Sequence, residues 1–173
     1  MGWWFHCTKN VRDVLEQLEP HTTLKKLSIK FYCGTRFPHW LGKSSFSNMV
    51  SLRLSDCMNC VDLPPVWQLL SLKVLIIESM DAVTRVSPEF CGWISHFSLW
   101  RLLTFEEMSE WEEWVSSEVG GGEFPCLREL CIRRCPKLKG NLPKQLPSIV
   151  KVEIFECQEL DYTYDRGIIT QGF

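Results

Sequence analysis

Short stretches in which apolar and polar residues alternate recur along the chain at a nearly constant spacing. In each stretch, a pattern of the form Leu-x-x-Leu-x-Leu is followed three residues later by another apolar residue. Six such units begin at residues 24, 49, 72, 100, 127 and 149, so successive starts lie 25, 23, 28, 27 and 22 residues apart. The alternating pairs at the centres of the units are Leu27 and Ile29, Leu52 and Leu54, Leu75 and Ile77, Leu103 and Phe105, Leu130 and Ile132, and Val152 and Ile154.

This periodicity predicts one short strand per unit and a leucine-rich-repeat fold, whose repeats are about 20–29 residues long. Alternation turns one face of each strand inward, and a single unit has nothing against which to bury that face. Stacked units bury it, because they form a continuous parallel sheet with a shared core. We therefore expect an α/β-type repeat solenoid. It would be a horseshoe segment with a parallel β-sheet on its concave face and a mostly irregular or short-helical convex side.

The fourth unit is the least regular of the six. Leu99, Leu102 and Leu103 allow its strand to shift by one residue. Such a shift would exchange the buried and exposed faces of the strand, because side chains alternate with a period of two. The sequence alone leaves the register of this unit open.

The ends of the repeat array define the expected domain organisation. Residues 11–160 form the predicted leucine-rich-repeat domain, flanked by an irregular segment at 1–10 and a divergent tail at 161–173. A flexible insertion is expected at 116–123, which contains three successive glycines.

A short amphipathic helix is predicted at residues 10–18, where it would cover the first unit. Asn10 resembles an N-terminal cap, and Pro20 stops the helix. Its predicted apolar face consists of Val11, Val14, Leu15 and Leu18.

Composition and charge narrow the class of protein. The formal net charge is −2, which gives no electrostatic case for binding nucleic acid. Charged residues interrupt every apolar run well before the roughly 18 residues of a membrane span, and the first residues lack the pattern of a signal peptide. We therefore expect a cytoplasmic, reducing location. The nine cysteines are then expected to be thiols rather than a disulfide framework.

Three groups of residues resemble reactive or ligand-binding motifs, and each departs from the pattern that it resembles. Gly42-Lys43-Ser44 matches the end of a phosphate-binding loop, but Phe37 stands where that loop requires glycine. Cys57 and Cys135 occupy equivalent positions three strands apart, about 14 Å, too far for two ligands of one zinc ion. Nothing in the sequence supplies an activated nucleophile or a positioned histidine beside the glutamates between residues 106 and 113. The sequence therefore predicts no catalytic residue, no cofactor and no metal site, and a protein that is not an enzyme.

Charge is segregated between the fourth and fifth units. No Lys or Arg occurs from residue 102 to residue 127, which carries seven glutamates. This segregation fits pairing with a charged protein surface, or it is ordinary solubilising charge, and the sequence leaves both open. The basic residues that follow are Arg128, Arg133, Arg134, Lys137, Lys139 and Lys144.

Side chains between the inward leucines are expected to project from the concave sheet in two columns. One column is Ser28, Arg53, Ile76, Thr104, Cys131 and Glu153, and the other is Lys30, Ser55, Glu78, Glu106, Arg133 and Phe155. Solenoids bind proteins through such surfaces. The candidate partner-binding residues are Lys30, Arg53, Ile76, Glu78, Glu106, Arg133, Glu153 and Phe155.

The loops between the strands carry motifs as distinctive as the leucines. They include Val14–His21, Gly34–Leu41, Phe46–Val50, Leu63–Pro65, Glu110–Trp114, Phe124–Leu130 and Arg134–Leu138. Together with the repeats, these motifs resemble the leucine-rich-repeat region of plant intracellular immune receptors. These receptors are the coiled-coil nucleotide-binding leucine-rich-repeat (NLR) disease-resistance proteins. The resemblance covers about residues 11–160.

The resemblance implies a non-catalytic module of plant defence that binds protein. The implied partner is a pathogen effector, a guarded host protein or an NLR switch domain, with no nucleic acid, membrane span or small-molecule substrate. The family's coiled-coil and nucleotide-binding domains do not precede the repeats in this sequence, so we expect a truncated receptor without nucleotide exchange. A structural remnant with no function of its own, and an adaptor fragment, remain the alternatives.

Overall fold

A computed structural model describes residues 11–87, 90, 99–115, 124–140, 142–143, 146–160 and 168–172. The expected irregular segment at 1–10, the cap at Asn10 and the insertion at 116–123 lie outside these residues. So does most of the predicted tail. None of the helices that the structure describes has the length and apolar character needed to cross a bilayer.

A parallel sheet of seven five-residue strands forms the concave side of the fold. Neighbouring strands in the sheet follow one another along the chain. Their sequence order is unbroken except for two short strands that belong to a separate sheet. The bounds are β1 Lys26–Lys30, β2 Ser51–Ser55, β3 Val74–Glu78, β5 Leu102–Glu106, β7 Glu129–Arg133, β8 Lys151–Phe155 and β9 Ile168–Gly172.

The register confirms the predicted repeat frame. Leu52 lies opposite Leu27 on one side and Leu75 on the other, and the same inward row continues through the later strands. In the fourth unit Leu103 and Phe105 are fully buried, whereas Leu99 is 43% exposed. This settles the register that the sequence left open. The fold is therefore the predicted leucine-rich-repeat solenoid.

One residue directly after each of the first six long strands has a left-handed backbone, with φ between 51° and 56°, and none of the six is glycine. The left-handed conformation costs a residue with a side chain about 1 kcal/mol. The left-handed residue shifts the alternation of inward and outward side chains by one position. Cys57, three residues after Leu54, therefore points inward and is fully buried. The six residues are Phe31, Asp56, Ser79, Glu107, Arg134 and Glu156.

These left-handed residues also extend the hydrogen-bonded ladder beyond the strands. The backbone N–H of each of the first five donates to the last strand carbonyl of the next turn, for example from Asp56 to Glu78 at 3.0 Å and from Glu107 to Arg133 at 2.9 Å. The backbone groups at these bends are therefore satisfied by the neighbouring turn, which offsets the conformational cost.

The convex side is built from short turns, as expected, with one addition. Two 3₁₀ turns, His39–Gly42 and Val66–Gln68, lie on neighbouring repeats. A Cβ atom on Gly42 would come within 2.7 Å of Pro65, so the close approach of these repeats requires glycine. The addition is a second parallel sheet, formed by β4 (Arg85–Val86) and β6 (Glu113–Trp114).

Aromatic side chains fill the core between the third and fifth turns. Trp111 is fully buried, and its ring centroid lies 4.6 Å from that of Phe105. Its indole N–H donates to the carbonyl of Glu113 at 2.9 Å, so the polar edge of the ring is satisfied. Trp114 packs against both Phe105 and Phe124, with ring centroids 5.4 Å and 6.0 Å apart. Interlocking rings of this kind add specific geometry to the area that they bury.

The N-terminal helix α1 spans Val11–Gln17 and contacts the first repeat. The predicted apolar face was wrong in part. Leu15 packs against the core, whereas Val14 and Leu18 are 55% and 62% exposed. Polar contacts hold the helix instead: the indole N–H of Trp40 donates to the Leu15 carbonyl at 2.9 Å, and the His39 N–H donates to Glu16 at 3.0 Å.

Two further features differ from the sequence-based expectations. Cys33 is disulfide-bonded, so the expectation that all nine cysteines are thiols was wrong for this residue. The other six described cysteines are free. In addition, β9 lies within the segment expected to be a divergent tail, yet it pairs with β8 and adds a seventh strand to the sheet.

Removal of the Trp111 side chain tests this core. We expect Trp111→Ala to lower the free energy of unfolding by about 3–5 kcal/mol, the usual cost of truncating a fully buried aromatic residue. The matched control is Trp67→Ala, because Trp67 is 46% exposed and its loss should lower the value clearly less, by about 2 kcal/mol or less. Urea unfolding followed by circular dichroism measures both. Equal effects would contradict the packing described.

Candidate functional site

The eight candidate partner-binding residues all lie on the concave sheet in the predicted columns. Arg53 lies opposite Ile76, and Glu78 lies opposite Glu106, with Arg133 next to Glu106 on the following strand. Glu153 and Phe155 on β8 and Lys30 on β1 stand at the two ends of these rows. The sheet therefore brings the candidate residues of neighbouring turns side by side.

The exposure of the two columns is uneven, and here the sequence-based expectation needs correction. Ser55, Thr104 and Cys131 were placed on the exposed face, but they are 1%, 8% and 6% exposed. Ile76 and Phe155, which were expected to be exposed, are half-buried. Longer neighbouring side chains cover the small ones on a sheet whose strands lie only about 4.8 Å apart.

Ion pairs between turns organise the charged part of the face. The guanidinium of Arg133 lies 2.6 Å from Glu153 and 3.9 Å from Glu106. Lys151 contacts Glu153 at 2.7 Å. Hydrogen bonding to Lys151 and then to Arg133 holds the pKa of Glu153 below its ordinary value, against the opposing effect of burial. Glu153 is thus an anchored anion between two cations.

A second cluster lies at the carboxyl ends of the strands, where Arg134 joins three turns. Its guanidinium lies 2.5 Å from Glu107, 3.7 Å from Glu106 and 3.4 Å from Glu156. Nearby, Lys137 pairs with Glu110 at 2.6 Å. The segregated charges of the fourth and fifth units therefore pair with each other across adjacent turns, a use that the sequence analysis did not consider.

The other end of the concave face contains fewer ion pairs between turns. Arg53 forms an ion pair with Glu78 on the next strand. Within the described residues, the Nε atom of Arg53 and the hydroxyl of Ser55 are buried without a hydrogen-bond partner. No ion-pair partner for Lys30 occurs among the described residues. This end has polar groups that the described part of the chain does not satisfy.

Sequence reasoning missed a groove along the carboxyl ends of the strands. It has a volume of about 450 Å³. Hydrogen bonds between turns line it, from Ser79 to Glu107 at 3.1 Å and from Ser109 to Asp81 at 2.9 Å. The sequence did contain a signal for this groove, because its lining residues occur at constant distances after the end of each strand. The lining residues are Met58, Ser79, Asp81, Glu107, Ser109, Arg134, Pro136, Glu156 and Gln158.

The motifs that were examined for chemistry have structural roles. Gly42 is buried in the first 3₁₀ turn, and Lys43 binds Glu19 at 2.8 Å. Cys57 and Cys135 lie after β2 and β7, three strand steps apart as expected. In the part of the chain that the structure describes, no three His, Cys, Asp or Glu side chains group in a way that would hold a metal ion.

Cys135 and Cys157 occupy equivalent positions on adjacent turns, and their sulfurs interact. A hydrogen bond from the Cys135 thiol lowers the pKa of Cys157 from 9.0 to about 7, although burial opposes this shift. The same hydrogen bond, together with burial, raises the pKa of Cys135 far above its ordinary value. A buried thiol thus stabilises a neighbouring thiolate.

Comparisons with known proteins extend over most of the chain. A family model described as R13L1/DRL21 LRRs matches residues 5–80. The chain is 42% identical over 151 residues to the putative disease resistance protein At3g14460 of Arabidopsis thaliana, covering 84% of this chain and 11% of that protein. It is 38% identical over 175 residues to the putative disease resistance RPP13-like protein 1 of the same plant, covering 93% and 16%.

A more distant relative comes from a second plant. The chain is 32% identical over 149 residues to the putative disease resistance protein RGA1 of Solanum bulbocastanum, covering 84% of this chain and 12% of that protein. The chain thus spans only about 11–16% of the length of the curated relatives it matches. No solved structure gives a significant match.

The thiol pair yields a prediction about pH. Cys157 should react with iodoacetamide with a midpoint near pH 7, because only the thiolate attacks. In Cys135→Ala the midpoint should rise toward 9.0, and the rate at pH 7 should fall by roughly tenfold or more. Peptide-resolved mass spectrometry across pH 5–10 measures both. A wild-type midpoint near 9, or an unchanged midpoint in the variant, would contradict the interaction.

Proposed function

The chain belongs to the leucine-rich repeats of plant disease-resistance proteins, and on this premise we propose that its concave face recognises a protein partner without catalysing a reaction. The domain that we assign to this task is residues 11–160, with 1–10 and 161–173 as flanking segments, the second of which contributes β9 to the sheet. Its proposed setting is the cytoplasm. The proposed partner is a pathogen effector, a guarded host protein or the nucleotide-binding switch domain of such a receptor.

The observation that carries this proposal is the preorganised charge on the concave columns. Arg53, Arg133 and Glu153 are held by ion pairs between turns, yet 41%, 37% and 17% of their side chains remain exposed. Side chains that are already fixed lose little conformational entropy when a partner binds. The same surface can therefore bind with specificity while remaining rigid.

The half-buried apolar residues add to this support. Ile76 lies between Arg53 and Thr104, and Phe155 lies beside Arg133. Apolar side chains surrounded by fixed charges resemble the composition of protein interfaces, in which an apolar centre is bordered by polar groups. A small-molecule site would instead be an enclosed, mostly apolar cavity.

The competing candidate is a structural remnant with no independent partner. The two candidates differ in one respect: only the first requires that changes on the concave face, and not elsewhere, alter binding.

A binding experiment with paired variants separates the two. Arg53→Ala with Glu78→Ala removes both members of a concave ion pair, so that no charge is left unpaired. The matched control, Arg85→Ala with Glu113→Ala, removes the Arg–Glu pair of the second sheet, which is similar in geometry and more exposed. The binding partner is the purified nucleotide-binding switch domain of a related disease-resistance protein, and calorimetry measures the affinity.

We expect the concave double variant to bind at least about fivefold more weakly, since truncating an interface hot spot costs more than about 1 kcal/mol. The control should bind like the wild type. Thermal unfolding verifies that both variants are folded. Equal affinities of the two variants, or no binding by the folded wild-type chain, would contradict the proposal for this partner and favour the remnant.

A further inference from the structure

The residue directly before each strand of the concave sheet forms a row along the opposite edge from the Arg134 cluster. In the first six turns this row reads Lys25, Val50, Lys73, Arg101, Arg128 and Val150. Three consecutive turns therefore place a cation at the same position. We call Lys73, Arg101 and Arg128 the basic edge.

Backbone hydrogen bonds hold the basic edge in register. The N–H of Arg101 donates to the Lys73 carbonyl at 2.7 Å, and the N–H of Arg128 donates to the Arg101 carbonyl at 3.0 Å. Neighbouring strands lie about 4.8 Å apart, so the backbones that carry the three cations span only about 10 Å. This spacing concentrates three positive charges on a fixed line.

The three cations have no ion-pair partner among the described residues. This sets them apart from the other edge, where Arg133, Arg134 and Lys137 all bind carboxylates. In each of the six turns, we compared the residue before the strand with the first residue of the strand. Only one of these residues, Glu129, is acidic, and it forms no ion pair with the three cations of the basic edge. The ion pairs that join neighbouring turns elsewhere on the sheet therefore do not include the basic edge.

Like charges on neighbouring strands repel each other, and an anionic ligand relieves that repulsion. Exposed apolar side chains occur in the row and shortly before it in the sequence: Val150 is 59% exposed, and Leu70 and Leu99, three and two residues before Lys73 and Arg101, are 58% and 43% exposed. A ligand that matches this edge carries several negative charges close together and has apolar groups beside them. An acidic segment of a protein has both features.

We propose that the basic edge binds an acidic segment of a protein partner. This surface is distinct from the concave columns, so the inference goes beyond the proposed function and stands or falls separately. Each strand is five residues long, which places the acidic cluster around Glu106 and Glu107 only about 16 Å from the basic edge. A long polyanion such as duplex nucleic acid would meet that cluster and be repelled, whereas a short peptide segment fits the row alone.

The test measures binding of rhodamine-labelled octaglutamate to the full chain by fluorescence anisotropy at low salt. The edge variant carries Lys73→Ala, Arg101→Ala and Arg128→Ala. The matched control carries Arg36→Ala, Lys137→Ala and Lys139→Ala, which removes the same number of positive charges from other exposed positions. A third variant, Arg101→Lys with Arg128→Lys, keeps the charge of the edge.

We expect the edge variant to bind octaglutamate at least about tenfold more weakly than the wild type, with the control within about twofold of it. The charge-keeping variant should retain binding, and binding by the wild type should weaken as salt rises. Because that variant preserves charge, it separates loss of the site from loss of the fold, and thermal unfolding of the edge variant provides a second check.

Two results would overturn the proposal. One is absence of octaglutamate binding, or binding that the edge variant and the control lose equally. The other is tighter binding of a 20-base-pair duplex or of anionic lipid vesicles through the same residues, which would assign the edge to a different class of ligand. Parallel measurement with the Arg53 and Glu78 double variant shows whether the concave columns contribute. If that double variant binds octaglutamate as the wild type does, the basic edge binds independently of the concave columns.

Discussion

The structure depends on one constraint, which is that a five-residue strand with two inward apolar side chains can bury them only against the strands of neighbouring turns. Leu52 and Leu54 are fully buried because Leu27 and Ile29 lie on one side and Leu75 and Ile77 on the other. The left-handed residue after each strand serves the same constraint. It shifts the alternation by one position, so that a third side chain per turn also points inward.

This stacking determines how charge can be used. Because every turn repeats the same positions, residues of opposite charge on adjacent turns meet, as Glu107 and Arg134 do at 2.5 Å. Pairs between exposed side chains stabilise a fold by only about 0–1 kcal/mol each. Their main effect here is to fix the orientation of the side chains. The charged side chains at the carboxyl ends of the strands consequently form ion pairs with one another, whereas the cations of the basic edge form none among the described residues.

The strands and their register could be predicted because six units repeat one pattern, and each unit supports the others. Features that occur only once in the chain could not be predicted in this way. The β4–β6 sheet has strands of two residues, too short to leave a periodic signal. Val14 and Leu18 fit the pattern of an amphipathic helix, but both are exposed, and of these predicted apolar residues Leu15 packs against the core. The candidate columns were placed correctly by the register. Their ion pairs and the burial of Ser55 were not predicted, because both depend on how long side chains lie over short ones.

The measurement that tests the central claim most directly is site-resolved amide hydrogen exchange of the folded chain. The stacking described here predicts one continuous ladder between turns, from the residue before each strand to the left-handed residue after it. The amides of Lys73, Arg101, Ser79 and Glu107 should therefore exchange as slowly as those at the strand centres, since each donates to an adjacent turn. Fast exchange at Ser79 and Glu107, comparable to that of an open loop, would contradict the stacked-ladder account.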